Sequence, residues 1–149
     1  MINAYYFYRI SRWFYLKHIP VIPDIIKLFI FLIYNSSITH KCEIGKNCQF
    51  LYGGIGTIIA KKVKIGRNVK IGSNVVIGGR SMQGVMPVIG NNVYIATGAK
   101  ILGNVTIADN VIIGANAVVI KDVPSNCSVG GVPAKILKKD IDISEFCSI

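Results

Sequence analysis

The sequence predicts an all-β protein: a solenoid of six-residue units preceded by a short helical arm. Aliphatic residues recur every six positions through the middle of the chain, and a second apolar series follows four positions after the first. Asn or Gly stands directly before each member of the second series. A period of six fits neither a helix nor one long alternating strand, whereas self-similarity at a short fixed period is typical of a solenoid. Hydrophobic residues make up 52% of the 149 residues, enough apolar material for the core of one domain.

The arm comprises residues 1–37 and begins with the aromatic run YYFYRISRWFY. Pro20 and Pro23 follow, and we expect Asp24 to cap a second apolar run, IIKLFIFLIY, at residues 25–34. The sequence therefore predicts two short helices joined by a turn that the prolines set. The second run is about half the roughly 20 residues that a membrane-spanning helix needs, so we expect it not to cross a bilayer.

Two roles are open for this arm. Aromatic residues mixed with Arg and Lys suit a helix that lies at a lipid interface, which would make peripheral contact with a membrane. The alternative is a helical pair packed on the rest of the protein or on a sister subunit, and the two roles are compatible. His18 lies in the arm, where we expect it to be structural.

The predicted solenoid domain spans residues 38–137. The first inward series is Ile65, Ile71, Ile77, Ile89, Ile95, Ile101, Ile107, Ile113 and Val119, and the second is Val69, Val75, Val93, Ala99, Val105, Val111 and Ala117. Three units close one triangular coil, and the repeat predicts about five coils of about 18 residues. Residues 138–149 form a tail that we expect to cap the open end of the solenoid.

The corners of the coils are predicted at the Asn and Gly positions, because these residues adopt a positive φ at low cost. The predicted corner residues are Asn47, Asn68, Asn74, Asn92, Gly98, Asn104, Asn110 and Asn116.

Two interruptions break the repeat. In residues 51–60 the inward positions Phe50 and Ile59 are nine residues apart instead of six. In RSMQGVMP, residues 80–87, Gln83 occupies an apolar position while the phase survives. Loops that leave a solenoid are where binding and catalytic sites are usually built, so both are candidate site regions, although a tolerated surface insertion is the alternative.

The charge distribution limits the classes of partner. The net charge is +10, and eight Lys or Arg residues between Lys41 and Arg80 stand against the single acid Glu43. Such a band attracts nucleic acid, anionic lipid or a phosphate-bearing cofactor, or else it is a solvated face. The sequence contains no recognisable nucleic-acid motif, so we expect no nucleic-acid partner.

The cysteines indicate neither disulfides nor a metal site. Cys42, Cys48, Cys127 and Cys147 form no CxxC pair and have no His at zinc-ligand spacing, so we expect small buried side chains and no metal. No signal peptide is evident. We therefore expect a reducing, cytoplasmic compartment, with the inner face of a membrane as the place of any lipid contact.

Four segments carry a resemblance to a known family: GGRS (78–81), MPVIGNNVYIATGAKILGNVTI (86–107), IGANAVVIKDVP (113–124) and GGVPAKI (130–136). They resemble the hexapeptide-repeat acyltransferases with a left-handed parallel β-helix. More narrowly they resemble the serine O-acetyltransferase-like branch, which includes acetyltransferases that modify surface polysaccharides. The resemblance covers residues 36–138 and implies a left-handed β-helix, a homotrimer, and acetyl-CoA bound in a groove between neighbouring β-helices.

The resemblance implies acetyl transfer from acetyl-CoA to a hydroxyl group. Our first interpretation is a surface-polysaccharide sugar as acceptor, because the long helical N-terminal region of true serine acetyltransferases is not seen here. The alternatives are a serine O-acetyltransferase and a catalytically inactive trimeric homologue. A γ-type carbonic anhydrase on the same scaffold needs three His ligands for zinc, and the chain has only two His.

The resemblance also implies the residues that bind acetyl-CoA. Gly78, Gly79 and Arg80 would lie along the thioester arm, Thr97, Gly98 and Ala115 along the pantetheine, and Lys121 and Lys135 near the nucleotide phosphates. Small residues suit this role because a thin pantetheine arm must lie close to the backbone. The alternative for each is an ordinary corner or wall residue of the repeat.

The catalytic base departs from the family pattern. Relatives place a His at the position of Tyr52 or of Ala60, and serine acetyltransferases place another at that of Met86, but none of these is His here. Tyr52 is a candidate acid/base or acceptor-binding hydroxyl, although a Tyr with its ordinary pKa of about 10 is poorly matched to base work. Three explanations stay open: a natural or engineered loss of the base at Ala60, a base supplied elsewhere, for example by His40 at the start of the first coil, or an acceptor that binds without being acetylated.

Overall fold

A computed structural model describes residues 3–80 and 84–147. Two helices open the chain, α1 (Ala4–Leu16) and α2 (Ile22–Tyr34), and a short helix, α3 (Ser144–Cys147), lies near its end. Between them run β1 (Ser37–Ile38), β2 (Glu43–Ile44), β3 (Gln49–Phe50), β4 (Ile58–Ile59), β5 (Lys64–Ile65), β6 (Lys70–Ile71), β7 (Val76–Gly78), β8 (Val88–Ile89), β9 (Val93–Ile95), β10 (Lys100–Leu102), β11 (Thr106–Ile107), β12 (Val111–Ile113), β13 (Val118–Val119), β14 (Cys127–Gly130) and β15 (Lys135–Lys139).

The strands form three parallel sheets that make the sides of a β-helix. The first sheet has the order β1-β4-β7-β10-β13, the second β2-β5-β8-β11, and the third β3-β6-β9-β12-β14, to which β15 adds an antiparallel edge. Consecutive strands from β1 to β14 therefore belong to different sheets, and each coil hydrogen-bonds to its neighbouring coils. The expected solenoid with a helical arm is confirmed.

The number of residues between paired positions in the first sheet gives the length of each coil. Partners are 18 residues apart between Ile58 and Val76 and again between Lys100 and Val118. They are 21 apart between Ser37 and Ile58 and 24 apart between Val76 and Lys100. The first interruption thus adds three residues, and the second adds a full unit of six, which is why the phase survives it. Ser81, Met82 and Gln83 lie outside the described residues.

The inward positions form one continuous core. All members of both predicted inward series are buried, together with Phe50 and Ile59 on either side of the first interruption. Cys42, Cys48 and Cys127 are buried as free thiols and Cys147 is half-buried, as expected of small hydrophobic side chains. Short aliphatic and small side chains fill the narrow interior because the three sheets approach closely.

The corners adopt the left-handed backbone conformation that the Asn and Gly positions predict. Asn92 and Asn110 have φ values of 52° and 58°, and Gly98 has a φ of 77°. The amide of Asn92 donates to Oδ1 of Asn110 at 3.1 Å, within a ladder that runs from Asn68 to Asn126. The prediction at Asn104 is wrong: the preceding residue, Gly103, takes the positive φ of 96°, because glycine adopts that conformation more readily.

The N-terminal arm forms the two predicted helices and packs on the first coil. Tyr8 of α1 and Ile30 of α2 are each 1% exposed and belong to the same core as the solenoid. The expectation that Asp24 caps the second helix is wrong in detail, because α2 begins at Ile22 and Asp24 lies in its first turn. There its carboxylate still suits the positive end of the helix dipole. None of the helices in the described part of the chain is long and apolar enough to cross a membrane.

Helix α1 covers the end of the solenoid where no earlier coil can pair. Side chains of α1 and of its N-cap residue, Asn3, donate to carbonyls of the first coil: Asn3 Nδ2 to Phe50 at 2.7 Å, Tyr5 Oη to Gly45 at 2.7 Å, Tyr8 Oη to Cys42 at 2.9 Å, and Arg12 to His40 at 2.9 Å. The sequence predicts a cap only at the C-terminal end of the solenoid. There β15 pairs with β14 and crosses residue 137, the expected boundary between the solenoid and its tail. Both ends of the repeat are thus protected.

Candidate active site

The candidate site residues fall on two edges of the first sheet. We call the turns from the third sheet to the first corner I, and the turns from the first sheet to the second corner II. Tyr52, Thr97, Gly98 and Ala115 lie at corner I, and Lys135 follows the last turn at that corner. His40, Ala60, Gly79, Arg80 and Lys121 lie at corner II, and Gly78 ends the strand that leads into it.

His40 and Ala60 line one cavity of about 250 Å³ at corner II. Its walls are Asp24, Lys27, Ser37, Thr39, His40, Lys41, Ile58, Ile59, Ala60 and Lys61. A neighbouring cavity of about 400 Å³ shares Asp24, Lys27 and Ser37 and continues to Leu28 and Phe31 of α2. Helix α2 therefore forms one side of a space whose other side is the start of the β-helix.

The environment of His40 favours a neutral imidazole. The residue is 4% exposed, and its Nδ1 has no hydrogen-bond partner among the described residues. Burial lowers the pKa of His40 below its usual value, Lys41, Lys27 and Arg12 lower it further, and the Asp24 carboxylate opposes them. A neutral imidazole at neutral pH can accept a proton, which is the first requirement of a general base.

The neighbour of Ala60 on the next coil is Gly78, a buried glycine that places no side chain against Ala60. The Ala60 amide donates to the Ile77 carbonyl at 2.9 Å, so Gly78 lies directly across from Ala60 on the next coil. A Cβ atom at Gly78 would sit 3.5 Å from the Ala60 Cβ. Gly79 and Arg80 are exposed beyond it. This edge can admit a thin substrate group close to the backbone.

Corner I presents a surface of small residues. A Cβ atom at Gly98 would clash with Oδ1 of Asn116 on the next coil, and one at Gly72 would lie 2.5 Å from the Thr97 backbone nitrogen. The coils therefore approach closely here and leave Thr97 and Ala115 exposed without bulky neighbours on their own turns. Such a surface can lie against an extended ligand.

Tyr52 does not join His40 and Ala60 within one chain. It belongs to a 3₁₀ turn, Leu51–Gly54, that connects β3 to β4 at corner I, on the other edge of the first sheet. Its side chain is 66% exposed, and its φ of 55° is left-handed. The first interruption thus places its two candidate residues, Tyr52 and Ala60, at different corners.

Four charged residues at the cavity were missed by the sequence reasoning. Asp24 and Lys27 come from α2, and Lys41 and Lys61 come from turns on successive coils. The basic band between Lys41 and Arg80 was the signal for the two solenoid lysines. Nothing local in the sequence indicates that α2 docks beside them. In the described ranges, no group of three or more His, Cys, Asp or Glu is placed to hold a metal ion.

Comparisons with known proteins agree with this architecture. Residues 86–121 match the family described as bacterial transferase hexapeptide (six repeats). The chain is 35% identical over 132 residues to a serine acetyltransferase of Synechococcus elongatus, covering 87% of this chain and 54% of that protein. The chain therefore spans about half the length of this relative.

Solved structures show the same fold. A serine acetyltransferase from Neisseria gonorrhoeae matches with a TM-score of 0.86 and 28% identity over 95% of this chain and 56% of that one. A serine acetyltransferase in complex with CoA matches with a TM-score of 0.82 and 29% identity over 90% of this chain and 55% of that one. The chain has the left-handed β-helix fold of hexapeptide-repeat proteins, and these similarities support a relationship to their serine O-acetyltransferase-like branch.

Proposed function

We propose that this chain is an acetyl-CoA-dependent O-acetyltransferase with His40 as its general base. The observation that carries the proposal is the corner II cavity, where a buried His with a lowered pKa and an unpartnered Nδ1 lies beside Ala60 and the open edge at Gly78. The similarity to a serine acetyltransferase solved with CoA supports the choice of acyl donor.

The chemistry requires two successive proton transfers at His40. An alcohol is a poor nucleophile at neutral pH, so the base takes the hydroxyl proton as the oxygen attacks the thioester carbonyl. The carbon–sulfur bond then breaks, an ester forms, and the CoA sulfur leaves as a thiol after receiving the proton from the imidazolium. A neutral His40 can perform both transfers, and the open edge at Gly78 offers space for the acetyl group.

Acetyl-CoA would lie along the small residues. Thr97 and Ala115 offer an exposed strip of small residues for the pantetheine, with Gly98 buried beside Thr97, and the Lys121 and Lys135 ammonium groups would attract the phosphates. These assignments follow the family resemblance, and the exposed positions of Thr97, Ala115 and both lysines are compatible with them.

We further propose a homotrimer in which each site forms between two chains. Corner I and corner II lie on opposite edges of the first sheet, so neither carries the whole set of candidate residues. Parallel copies around a threefold axis would bring corner I of one chain to corner II of the next. Tyr52 would then contribute to the site from the partner chain.

Complementation tests this arrangement. His40→Asn removes the base at corner II, and Ala115→Trp obstructs corner I. If sites form between chains, mixed oligomers from co-expression regain activity, because some sites combine an intact corner from each variant. A mixture as inactive as its parents, in oligomers verified to contain both variants, would overturn the shared site.

Serine is the acceptor that the comparisons favour, ahead of the polysaccharide sugar placed first by the sequence reasoning. Lys27, Lys41 and Lys61 around the cavity outnumber Asp24, and their ammonium groups would attract the carboxylate of an amino-acid acceptor. A phosphate-linked sugar is the second candidate, because the adjoining cavity reaches the apolar side chains of Leu28 and Phe31.

Release of CoA thiol from acetyl-CoA distinguishes the acceptors. We expect release with L-serine, a raised KM for serine in Lys61→Ala, and an unchanged KM in the control Lys64→Ala, which lies on the second sheet. Release only with nucleotide-activated or lipid-linked sugars would favour the glycan acceptor. No release with any of them, while acetyl-CoA binding is measurable, would indicate the inactive homologue.

A further inference from the structure

We propose that the N-terminal arm docks on an anionic membrane surface through its outer face, the side turned away from the first coil. This face consists of Tyr6, Ile10 and Trp13 of α1 and Ile25, Phe29, Leu32 and Ile33 of α2, all of them exposed. The inference concerns binding and stands independently of the proposed acetyl transfer.

Helix α2 is apolar around almost its whole circumference. It buries Pro23, Ile30 and Tyr34 against α1 and the solenoid, yet Leu32 opposite them is 69% exposed. A surface helix normally shows polar residues on its outer side, whereas a helix that is apolar all round is typical of an apolar environment. A contiguous apolar face of this kind marks an interaction surface.

Helix α1 adds the residues typical of a lipid interface. Tyr6, Ile10, Trp13 and Lys17 recur at spacings of three and four residues, so they form one stripe opposite the buried Tyr8. The Lys17 ammonium lies 6.0 Å from the centre of the Trp13 ring. Aromatic rings beside cations on the polar rim of an apolar face are the pattern of helices that lie in the plane of a membrane surface.

Charge identifies the kind of membrane. Arg9 of α1 and Lys17 at its C-terminal end are the basic residues next to the α1 stripe, and Lys27 of α2 lies at the cavity that it shares with Lys41 and Lys61 of the first two coils. The acids of the arm and the first coil are Asp24, which lines the same cavity, and Glu43. A cationic border around an apolar face is complementary to anionic headgroups over hydrocarbon.

The position of the arm suits shallow insertion. Each helix has 13 residues, about 20 Å at 1.5 Å per residue, which is too short to cross the hydrocarbon layer. Because the arm covers the end of the solenoid, docking would leave the later coils, with their sides and corners, away from the lipid. The corner II cavity would then open close to the membrane surface.

Vesicle binding tests the proposal on the full chain. We expect flotation with vesicles of phosphatidylcholine and phosphatidylglycerol, together with a blue shift in the fluorescence of Trp13, the only Trp of the chain. Leu32→Glu should weaken partitioning by about tenfold or more, because it places a carboxylate at the centre of the face. Leu137→Glu is the matched control: Leu137 is also 69% exposed but lies on β15 at the far end of the solenoid.

The alternatives give distinct results. No flotation of the wild type overturns the proposal, and so does equal weakening by both substitutions. Equal binding to vesicles of phosphatidylcholine alone would show that the basic residues do not contribute to binding, and it would overturn the preference for an anionic membrane. A Leu32→Glu variant whose oligomer is smaller than that of the wild type by light scattering without lipid would show that another copy covers the face. Circular dichroism of both variants verifies that they are folded.

Discussion

His40 and Ala60 lie on successive coils of the β-helix and line the same cavity at the corner that leads from the first sheet to the second. Ala60 occupies the position where the family resemblance places a His, so the cavity holds one imidazole one coil away from that position. This relationship offers an answer to the missing base: the His that the repeat lacks at residue 60 is available from residue 40.

Ala60→His separates an active enzyme from an inactive homologue. If His40 is the base, a second imidazole fills the acceptor space, and kcat/KM for the acceptor should fall by about tenfold or more. Rates of CoA release at several acceptor concentrations measure the change. A gain of activity over the wild type would instead show that the chain had lost its base and that His40 does not replace it.

Gly78→Ala should impair acetyl-CoA use while the protein stays folded. A Cβ atom there meets the Ala60 Cβ at 3.5 Å, an ordinary van der Waals contact, but it narrows the edge along which the thioester would lie. We expect weaker acetyl-CoA binding by calorimetry and an unchanged thermal midpoint. Normal binding by Gly78→Ala would remove Gly78 from the cofactor site.

Gly72→Ala provides the contrast to Gly78→Ala. Its Cβ would lie 2.5 Å from the Thr97 backbone nitrogen, so two coils must separate. Overpacking of this kind costs about 1–3 kcal/mol, which should appear in urea unfolding as a lower free energy of unfolding. A Gly72→Ala variant as stable as the wild type would contradict the close approach of these coils.

The Asn ladder should stabilise the turns between the second and third sheets. Asn92→Ala removes two side-chain hydrogen bonds, one to Asn68 and one to Asn110, and forces a φ of 52° on an alanine. We expect a loss of about 2–4 kcal/mol in the free energy of unfolding. Asn104→Ala is the control, because Asn104 is exposed and lies outside the left-handed positions. Equal effects of the two substitutions would contradict this account of the corners.

Burial of His40 should make stability depend on pH. The folded pKa of His40 lies below its usual 6.5, so the unfolded chain binds more protons as the pH falls below about 6.5. Stability is therefore fully present above that value and is lost as the pH falls through the folded pKa. Urea midpoints between pH 8 and pH 5 should show this loss in the wild type, and a smaller one in His40→Gln.

His18→Gln is the control for the pH experiment, because the side chain of His18 is exposed on the turn between the two helices. We expect it to keep the wild-type pH profile. If the pH dependence of the urea midpoint persists in His40→Gln but disappears in His18→Gln, then His18 causes it and His40 does not.

Local patterns in the sequence were sufficient for much of the fold. The series through Ile71 and Ile77 fixes which side chains point inward, and the nine-residue step from Phe50 to Ile59 locates the longer first coil. These features depend on neighbours a few residues apart, so periodicity reveals them. The shift of the corner from Asn104 to Gly103 depends on a competition between two adjacent residues that both favour turns, which periodicity cannot resolve.

The candidate site was harder to predict because it depends on contacts between distant segments. The resemblance pointed to Ala60 and Gly78, and the structure brings them together across adjacent coils. Asp24 and Lys27 reach the cavity only because α2 docks on the first coil, and the hydrogen bonds from Tyr8 and Arg12 that hold α1 in place have no local signature. The separation of Tyr52 from Ala60 likewise follows from which corner each turn occupies.

The central claim is that His40 is the base of an acetyl transfer, and the rate of CoA release by His40→Asn with saturating acetyl-CoA and acceptor tests it most directly. A general base contributes about 10²–10⁴-fold, so we predict a fall in kcat of that size with acetyl-CoA affinity retained. An active wild type and a His40→Asn variant whose kcat stays within about twofold of it would contradict the claim.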